Sequence, residues 1–181
     1  SSEVKSPDEL VFGTPESFLS QYNTKVLLET KVVSINRRLR SIEVEKGEVK
    51  YTLEYDRLVL ATGSKHRIDP LFSPAFKNVF YVKSIEEVEY LLSNTSREGK
   101  TWCVVGASFA GIEFADALNK AGNKVILLDR EELPGKGFAP EIRGLIKETP
   151  TLNGIEFIHT PIDPRITIVG DKISSIKLDG Y

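Results

Sequence analysis

Two periodicities divide the chain. Between residues 25 and 61 apolar positions tend to alternate with polar ones: Val32, Val33 and Ile35, then Ile42 and Val44, then Tyr51, Leu53 and Tyr55. A period of two marks strands with one face toward a core and one toward water. Gly47 stands where two of these strands must turn, so the pattern predicts a small antiparallel meander with one wet face. Lys25-Val26-Leu27-Leu28 reads as a further short strand. Arg57-Leu58-Val59-Leu60-Ala61 breaks the alternation, and such a near-continuous apolar run predicts a strand covered on both faces. Upstream, Thr14 is placed to cap a short helix whose first position is Pro15. Residues 1–13 are polar and are expected to be poorly ordered or to dock elsewhere.

The second periodicity is helical. Ser84 and Glu87 form a capping-box pair, and Ile85, Val88, Leu91 and Leu92 make the apolar stripe of the helix they open. From residue 101 strands and helices alternate. The reading is a strand over 101–106, a helix over 108–121, with Gly122 just after it, and a second strand over 124–129. Beyond these come a helix over 140–148, a strand over 155–160, and a hairpin of 166–169 with 173–178 that turns at Gly170-Asp171. Strands that alternate with helices predict an α/β fold with a parallel sheet covered on both sides. Pro70 and Pro74 punctuate the loop between the two patterns, so the expected units are residues 1–70 and 71–181.

Composition narrows the function. The 181 residues are 40% hydrophobic and 28% charged, with a formal net charge of -2. That balance leaves no basic footprint for nucleic acid and no polybasic membrane anchor. No apolar run approaches the ~18 residues of a membrane helix, and no segment reads as a signal peptide. A cytoplasmic setting is therefore the expectation. The single cysteine excludes an internal disulfide and a redox-active pair within the chain. Cys103, inside a strand, reads as a buried packing residue, and Trp102 as packing beside it. His66 reads as surface and His159 as structural. They lie too far apart to suggest a metal site, and none is expected.

The informative segment is Val104-Val105-Gly106-Ala107-Ser108-Phe109-Ala110-Gly111-Ile112-Glu113. It leaves a predicted strand and opens a predicted helix within a βαβ unit, the context that a dinucleotide-binding turn requires. Gly106 permits the tight turn, and Gly111 lets the helix pack closely. The middle position, where glycine normally lets the backbone approach a pyrophosphate, holds Ser108. The helix start still offers unpaired N–H groups and the positive end of the dipole, so the exchange predicts a modest loss of fit. Asp129 follows Gly106 by 23 residues, at the end of the second strand. An acid at that spacing is placed to accept hydrogen bonds from the adenosine ribose and to repel a 2′-phosphate, which favours NADH over NADPH. Arg130 beside it weakens that preference. The competing reading is a βαβ unit whose turn binds nothing.

A second motif stands upstream. Leu58-Val59-Leu60-Ala61-Thr62-Gly63-Ser64, preceded by Tyr55-Asp56, resembles the second FAD motif of two-dinucleotide-domain flavoproteins, and about 40 residues later Val104 to Glu113 resembles their NADH-binding turn. In that order the pair is similar to the FAD/NAD(P)-dependent pyridine nucleotide-disulfide oxidoreductase superfamily. Thr14-Pro15-Glu16-Ser17-Phe18 and Val33-Ser34-Ile35-Asn36 look most like segments of its NADH oxidases and coenzyme A-disulfide reductases. The resemblance implies a Rossmann-like three-layer NADH-binding domain joined to a partial FAD-binding domain segment.

The resemblance also implies roles. Thr62 and Gly63 lie against FAD, with Ala61 ending the strand, and Val33 packs near the adenine through its backbone. Phe109 covers the flavin until nicotinamide displaces it, and Glu113, the catalytic candidate, sits near the nicotinamide. Gly106, Ala107, Ser108, Gly111, Asp129 and Arg130 form the NADH site. The implied reaction is hydride transfer from NADH to FAD and onward to oxygen, a disulfide or a carrier protein, in a homo-oligomer when intact. A non-catalytic NADH-binding module and an NADH:quinone reductase of the same superfamily are the alternatives.

The family's first FAD turn and its catalytic cysteine are not found in the sequence, nor are its later segments. The chain also holds no methionine. It therefore reads as a central fragment, expected neither to hold FAD alone nor to turn over.

Overall fold

The computed structural model describes residues 13–94, 99–132, 137–148, 154–161 and 164–178. The chain divides into two units, Ser1–Lys65 and His66–Tyr181.

The first described element is helix α1, Pro15–Tyr22. The Thr14 hydroxyl accepts from the Ser17 N–H at 3.3 Å, and the Ser17 hydroxyl accepts from the Thr14 N–H at 2.9 Å. Two of the helix's orphan donors are thereby satisfied, as the sequence predicts. Asn23 ends the helix in the left-handed region at φ 51°.

Strands β1 (Lys31–Asn36), β2 (Ser41–Lys46) and β3 (Val49–Glu54) then pair antiparallel in the order β1-β2-β3. Register places Ile35 opposite Ile42 and Val44 opposite Tyr51. Gly47, at φ 60°, makes the β2–β3 turn. The predicted meander is present, with Val44 1% exposed.

Two predicted strands are not. Residues 25–28 form no strand, and Leu28 is 57% exposed. Residues 57–61 are irregular, with Val59 84% and Leu60 67% exposed. An apolar run records a tendency to be covered but does not supply a partner. Among the described strands none pairs with 57–61, and an unpaired segment has no ladder to hold it extended.

In the second unit the Ser84–Glu87 capping box opens helix α2, Ile85–Asn94. The Ser84 N–H donates to Glu87 Oε2 at 3.0 Å, and the Glu87 N–H donates to Ser84 Oγ at 3.3 Å. Leu91 is the buried member of its stripe.

The βαβ unit follows as β4 (Thr101–Val105), α3 (Phe109–Lys120) and β5 (Lys124–Asp129), and after helix α4 (Pro140–Glu148) comes β6 (Ile155–His159). The three strands form a parallel sheet in the order β4-β5-β6, with Cys103 opposite Ile126 and Asp129 opposite His159. Alternation along β5 divides the core. Val125 and Leu127 join Ala107, Ala115 and Ile155, with Ile112 and Leu118 of α3 packed on them. Leu128 joins Ile158 and Leu178 in a second cluster, with Ile126 and Ile176 against it.

Strands β7 (Arg165–Val169) and β8 (Lys172–Lys177) make the predicted hairpin, with Gly170 at φ 62° in its turn. The hairpin is tied to the upstream loop. Asn78 donates to the Ile173 carbonyl at 2.7 Å and accepts from the Ile173 N–H at 2.9 Å. The amide and ammonium of Lys77 both bond Asp171.

Two side chains, His66 and Cys103, depart from their sequence readings. His66 is no plain surface residue: its Nε2 lies 2.7 Å from Glu87 Oε1 and its ring meets Tyr81 at 5.5 Å. Cys103 is exposed, because β4 lies at the edge of the described sheet. Surrounding atoms still desolvate the thiol enough to push its pKa up to about 11. Trp102 packs on the core and on Phe80 at 6.0 Å, with its Nε1 buried and unpartnered. Among the described residues no helix is long and apolar enough to cross a membrane.

Candidate dinucleotide site

The site is built where β4 ends. Gly106 takes φ 104°, a conformation that L side chains rarely adopt, so the chain reverses there only with glycine. Its N–H donates to the Leu128 carbonyl at 2.7 Å, which ties the turn to β5.

Ser108 is the N-cap of α3 in extended conformation, and its hydroxyl makes no capping bond. The first hydrogen bond of the helix runs from the Ile112 N–H to the Ser108 carbonyl at 3.0 Å. The amides at 109–111 therefore have no partner inside the helix and present its positive end.

Gly111 packs on the turn itself, because a Cβ there would meet the Gly106 carbonyl oxygen at 1.8 Å. Its requirement is thus one of space, whereas that of Gly106, with nothing near its would-be Cβ, is one of conformation.

The acid of β5 closes the other side. Asp129 Oδ2 accepts from the Ala107 N–H, and Oδ1 accepts from the Glu131 N–H at 2.8 Å. Arg130 leans elsewhere: its guanidinium is 3.8 Å from Asp69 Oδ2 and its carbonyl is 3.2 Å from His159 Nε2.

The structure thus gathers Gly106, Ala107, Ser108, Gly111 and Asp129 at one end of the β4–α3–β5 unit. Phe109 stands exposed at the head of α3 and meets Phe138 with ring centroids 6.1 Å apart, tilted by 52°. Sequence reasoning did not find Phe138. It lies beyond the βαβ unit, where the motif specifies no position, and an isolated aromatic carries no periodic signal. Glu113, one turn further along α3, is exposed and lines a groove of about 1640 Å³ beside β4 with Ser108, Gly111 and Cys103.

The FAD-type residues belong to the other unit. Val33 sits at a bulge, since the β1–β2 register passes from Val32↔Val44 to Ser34↔Glu43 and leaves Val33 without an opposite residue. Ala61 and Thr62 are exposed in irregular chain, and Gly63 takes φ 67°.

A dinucleotide's diphosphate fits the arrangement at α3. With no side chain at Gly111 the turn packs tightly on the helix start, the first amides of α3 have no partner inside the helix, and a carboxylate stands at the neighbouring strand tip.

The pyridine nucleotide-disulphide oxidoreductase family model matches residues 3–175. An NADH oxidase of Methanocaldococcus jannaschii is 30% identical over 182 residues, covering 98% of this chain and 40% of that protein. A putidaredoxin reductase of Pseudomonas putida is 33% identical over 125 residues, covering 67% of this chain and 28% of the relative. A ferredoxin reductase of Rhodopseudomonas palustris superposes with a TM-score of 0.76 at 26% identity, covering 97% of this chain and 43% of that one. The chain spans about two fifths of the length of the first of these relatives.

Proposed function

The chain belongs to the pyridine nucleotide-disulphide oxidoreductase family, and we propose that it carries the NADH site of an FAD-dependent oxidoreductase that passes reducing equivalents from NADH to oxygen, a disulfide or a carrier protein. When bound, NADH supplies the hydride and FAD the accepting ring; the protein supplies position and electrostatics.

The amides at the head of α3 hold the diphosphate, with the Ser108 side chain crowding its edge. Asp129 accepts from the adenosine ribose hydroxyls. A 2′-phosphate would meet that carboxylate, while the adjacent Arg130 leans toward Asp69. This arrangement supports NADH over NADPH. Phe109 screens the flavin side until nicotinamide arrives, and Glu113 orients the nicotinamide from the same helix. In the other unit, the bulged backbone at Val33 and the exposed turn through Ala61, Thr62 and Gly63 are suited to main-chain contacts with FAD.

The observation that carries the reading is the turn itself: Gly111 packs on the Gly106 carbonyl, α3 starts without a side-chain cap, and Asp129 bonds the adjoining Ala107 amide. The similarity to an NADH oxidase, a putidaredoxin reductase and a ferredoxin reductase supports these acceptor classes. The test is anaerobic addition of NADH to the intact protein loaded with FAD. The yellow flavin absorbance bleaches if the reading holds. Folded, flavin-loaded protein that stays yellow with excess NADH contradicts it.

A further inference from the structure

Asp129 is occupied before any ligand arrives. Ala107 is fully buried, and its N–H is the first donor beyond the reversal at Gly106. That N–H does not continue the strand ladder. It donates to Asp129 Oδ2, 22 residues further along the chain. The preceding amide, at Gly106, bonds the Leu128 carbonyl at 2.7 Å. Two successive amides of the turn are therefore tied to two successive residues of β5, one through main chain and one through a carboxylate.

Asp129 is itself held firmly. Its Oδ1 accepts from Glu131, and its carbonyl accepts from the Thr160 N–H at 2.8 Å. A bond from an amide to an ionised carboxylate is about twice as strong as a neutral one. Without that acceptor, the N–H of a fully buried residue is left unsatisfied.

We infer that Asp129 is a positioning residue for the glycine turn: its carboxylate holds the Ala107 amide and so fixes the direction in which the amides of 108–111 point. The inference takes its ligand from the NADH reading above, and it adds a task that the carboxylate performs in the empty protein.

Two consequences separate it from sugar recognition alone. The Ala107 amide is already spent, so the diphosphate must be held by the amides that follow. Removing the carboxylate disturbs the turn for both nucleotides but also relieves its repulsion of a 2′-phosphate, so NADPH binding to Asp129→Ala is compared with that to Asp129→Asn, which relieves the same repulsion. Asp129→Asn keeps a carbonyl oxygen to accept from Ala107, so it preserves the turn while losing the charge.

The test compares wild type, Asp129→Ala and Asp129→Asn in the intact protein. Hydrogen–deuterium exchange of the peptide spanning 104–112 is measured without nucleotide, and binding of NADH and NADPH is measured by titration. In Asp129→Ala, turn exchange rises about tenfold, NADH binding weakens by about tenfold or more, and NADPH binds about tenfold more weakly than to Asp129→Asn. In Asp129→Asn, exchange stays within about threefold of wild type and NADPH binding is retained. Unchanged turn exchange in Asp129→Ala, or NADPH binding to Asp129→Ala as tight as to Asp129→Asn, overturns the inference. If Asp129→Ala does not fold, Asp129→Asn decides: a turn that exchanges as fast as unprotected chain in that folded variant overturns it. The exchange measurement needs no nucleotide. Wild type that binds no NADH but shows the carboxylate-dependent protection therefore refutes the NADH reading and leaves the positioning role standing.

Discussion

Gly111 and Gly106 touch where no side chain can be placed: a Cβ on Gly111 falls 1.8 Å from the Gly106 carbonyl oxygen. The neighbour is backbone, so it cannot swing aside as the end of a long side chain would. Glycine-to-alanine in a helix ordinarily gains about 1 kcal/mol from propensity. Here the overlap opposes that gain, and overpacking of this kind costs about 1–3 kcal/mol or more. Gly111→Ala therefore lowers the thermal midpoint and displaces the head of α3, with loss of NADH binding. An unchanged or raised midpoint in a melting experiment contradicts the contact.

Ser108 behaves differently. Its hydroxyl makes no capping bond, so removing it takes nothing from the helix start. A serine N-cap replaced by glycine costs only a few tenths of a kcal/mol (~0.3) even when the cap is made. Ser108→Gly keeps the melting temperature and binds NADH as tightly as wild type or more tightly, as read by fluorescence titration. A large loss of affinity would show that the hydroxyl is itself a ligand.

In the proposed reading the Phe109–Phe138 pair sets a threshold for entry. A tilted aromatic pair is worth about 0.5–1.5 kcal/mol, a factor of about two to twelve in an equilibrium. If nicotinamide displaces Phe109, that pairing opposes binding. Phe138→Ala then lowers KM for NADH by about that factor with kcat little changed. A raised KM in steady-state kinetics would mean that Phe138 contacts the dinucleotide instead.

Cys103 gives a pH signature. Its thiol is raised from 9.0 to about 11 because desolvation disfavours the thiolate. At pH 8, alkylation by iodoacetamide is roughly two orders of magnitude slower than for an unperturbed cysteine, and it rises about tenfold per pH unit until near 11. The sign for stability follows. The unfolded thiol ionises first, so the folded state loses this contribution as pH rises from about 9 through about 11. Fast alkylation at pH 8 would show that its surroundings do not desolvate the thiol.

Much of this architecture was legible because it is local. The caps at Thr14 and Ser84, the meander turn at Gly47, the β4–α3–β5 unit and the hairpin at Gly170 each follow from short-range chemistry that the structure repeats. Both glycine roles in the turn were readable too, although Gly111 packs on the Gly106 carbonyl and not merely on the sheet. What failed depended on distant partners. Residues 57–61 carry the composition of a covered strand, yet composition does not say which strand covers them. Cys103 has the same difficulty, since an edge position is a property of the sheet and not of the residue. His66 finds Glu87 across 21 residues, and Phe138 finds Phe109 across a connection that no periodicity spans. Asp129 was placed at the right strand tip, but its bond to the Ala107 amide is visible only in three dimensions.

The most direct measurement is hydrogen–deuterium exchange of the intact protein with and without saturating NADH, followed peptide by peptide. Slowed exchange in the peptides that cover 108–112 and 129–131, with little change in α4, is the expected result, because those amides and that carboxylate are the proposed contacts. NADH binding that protects some other region and leaves 108–112 unchanged would contradict it.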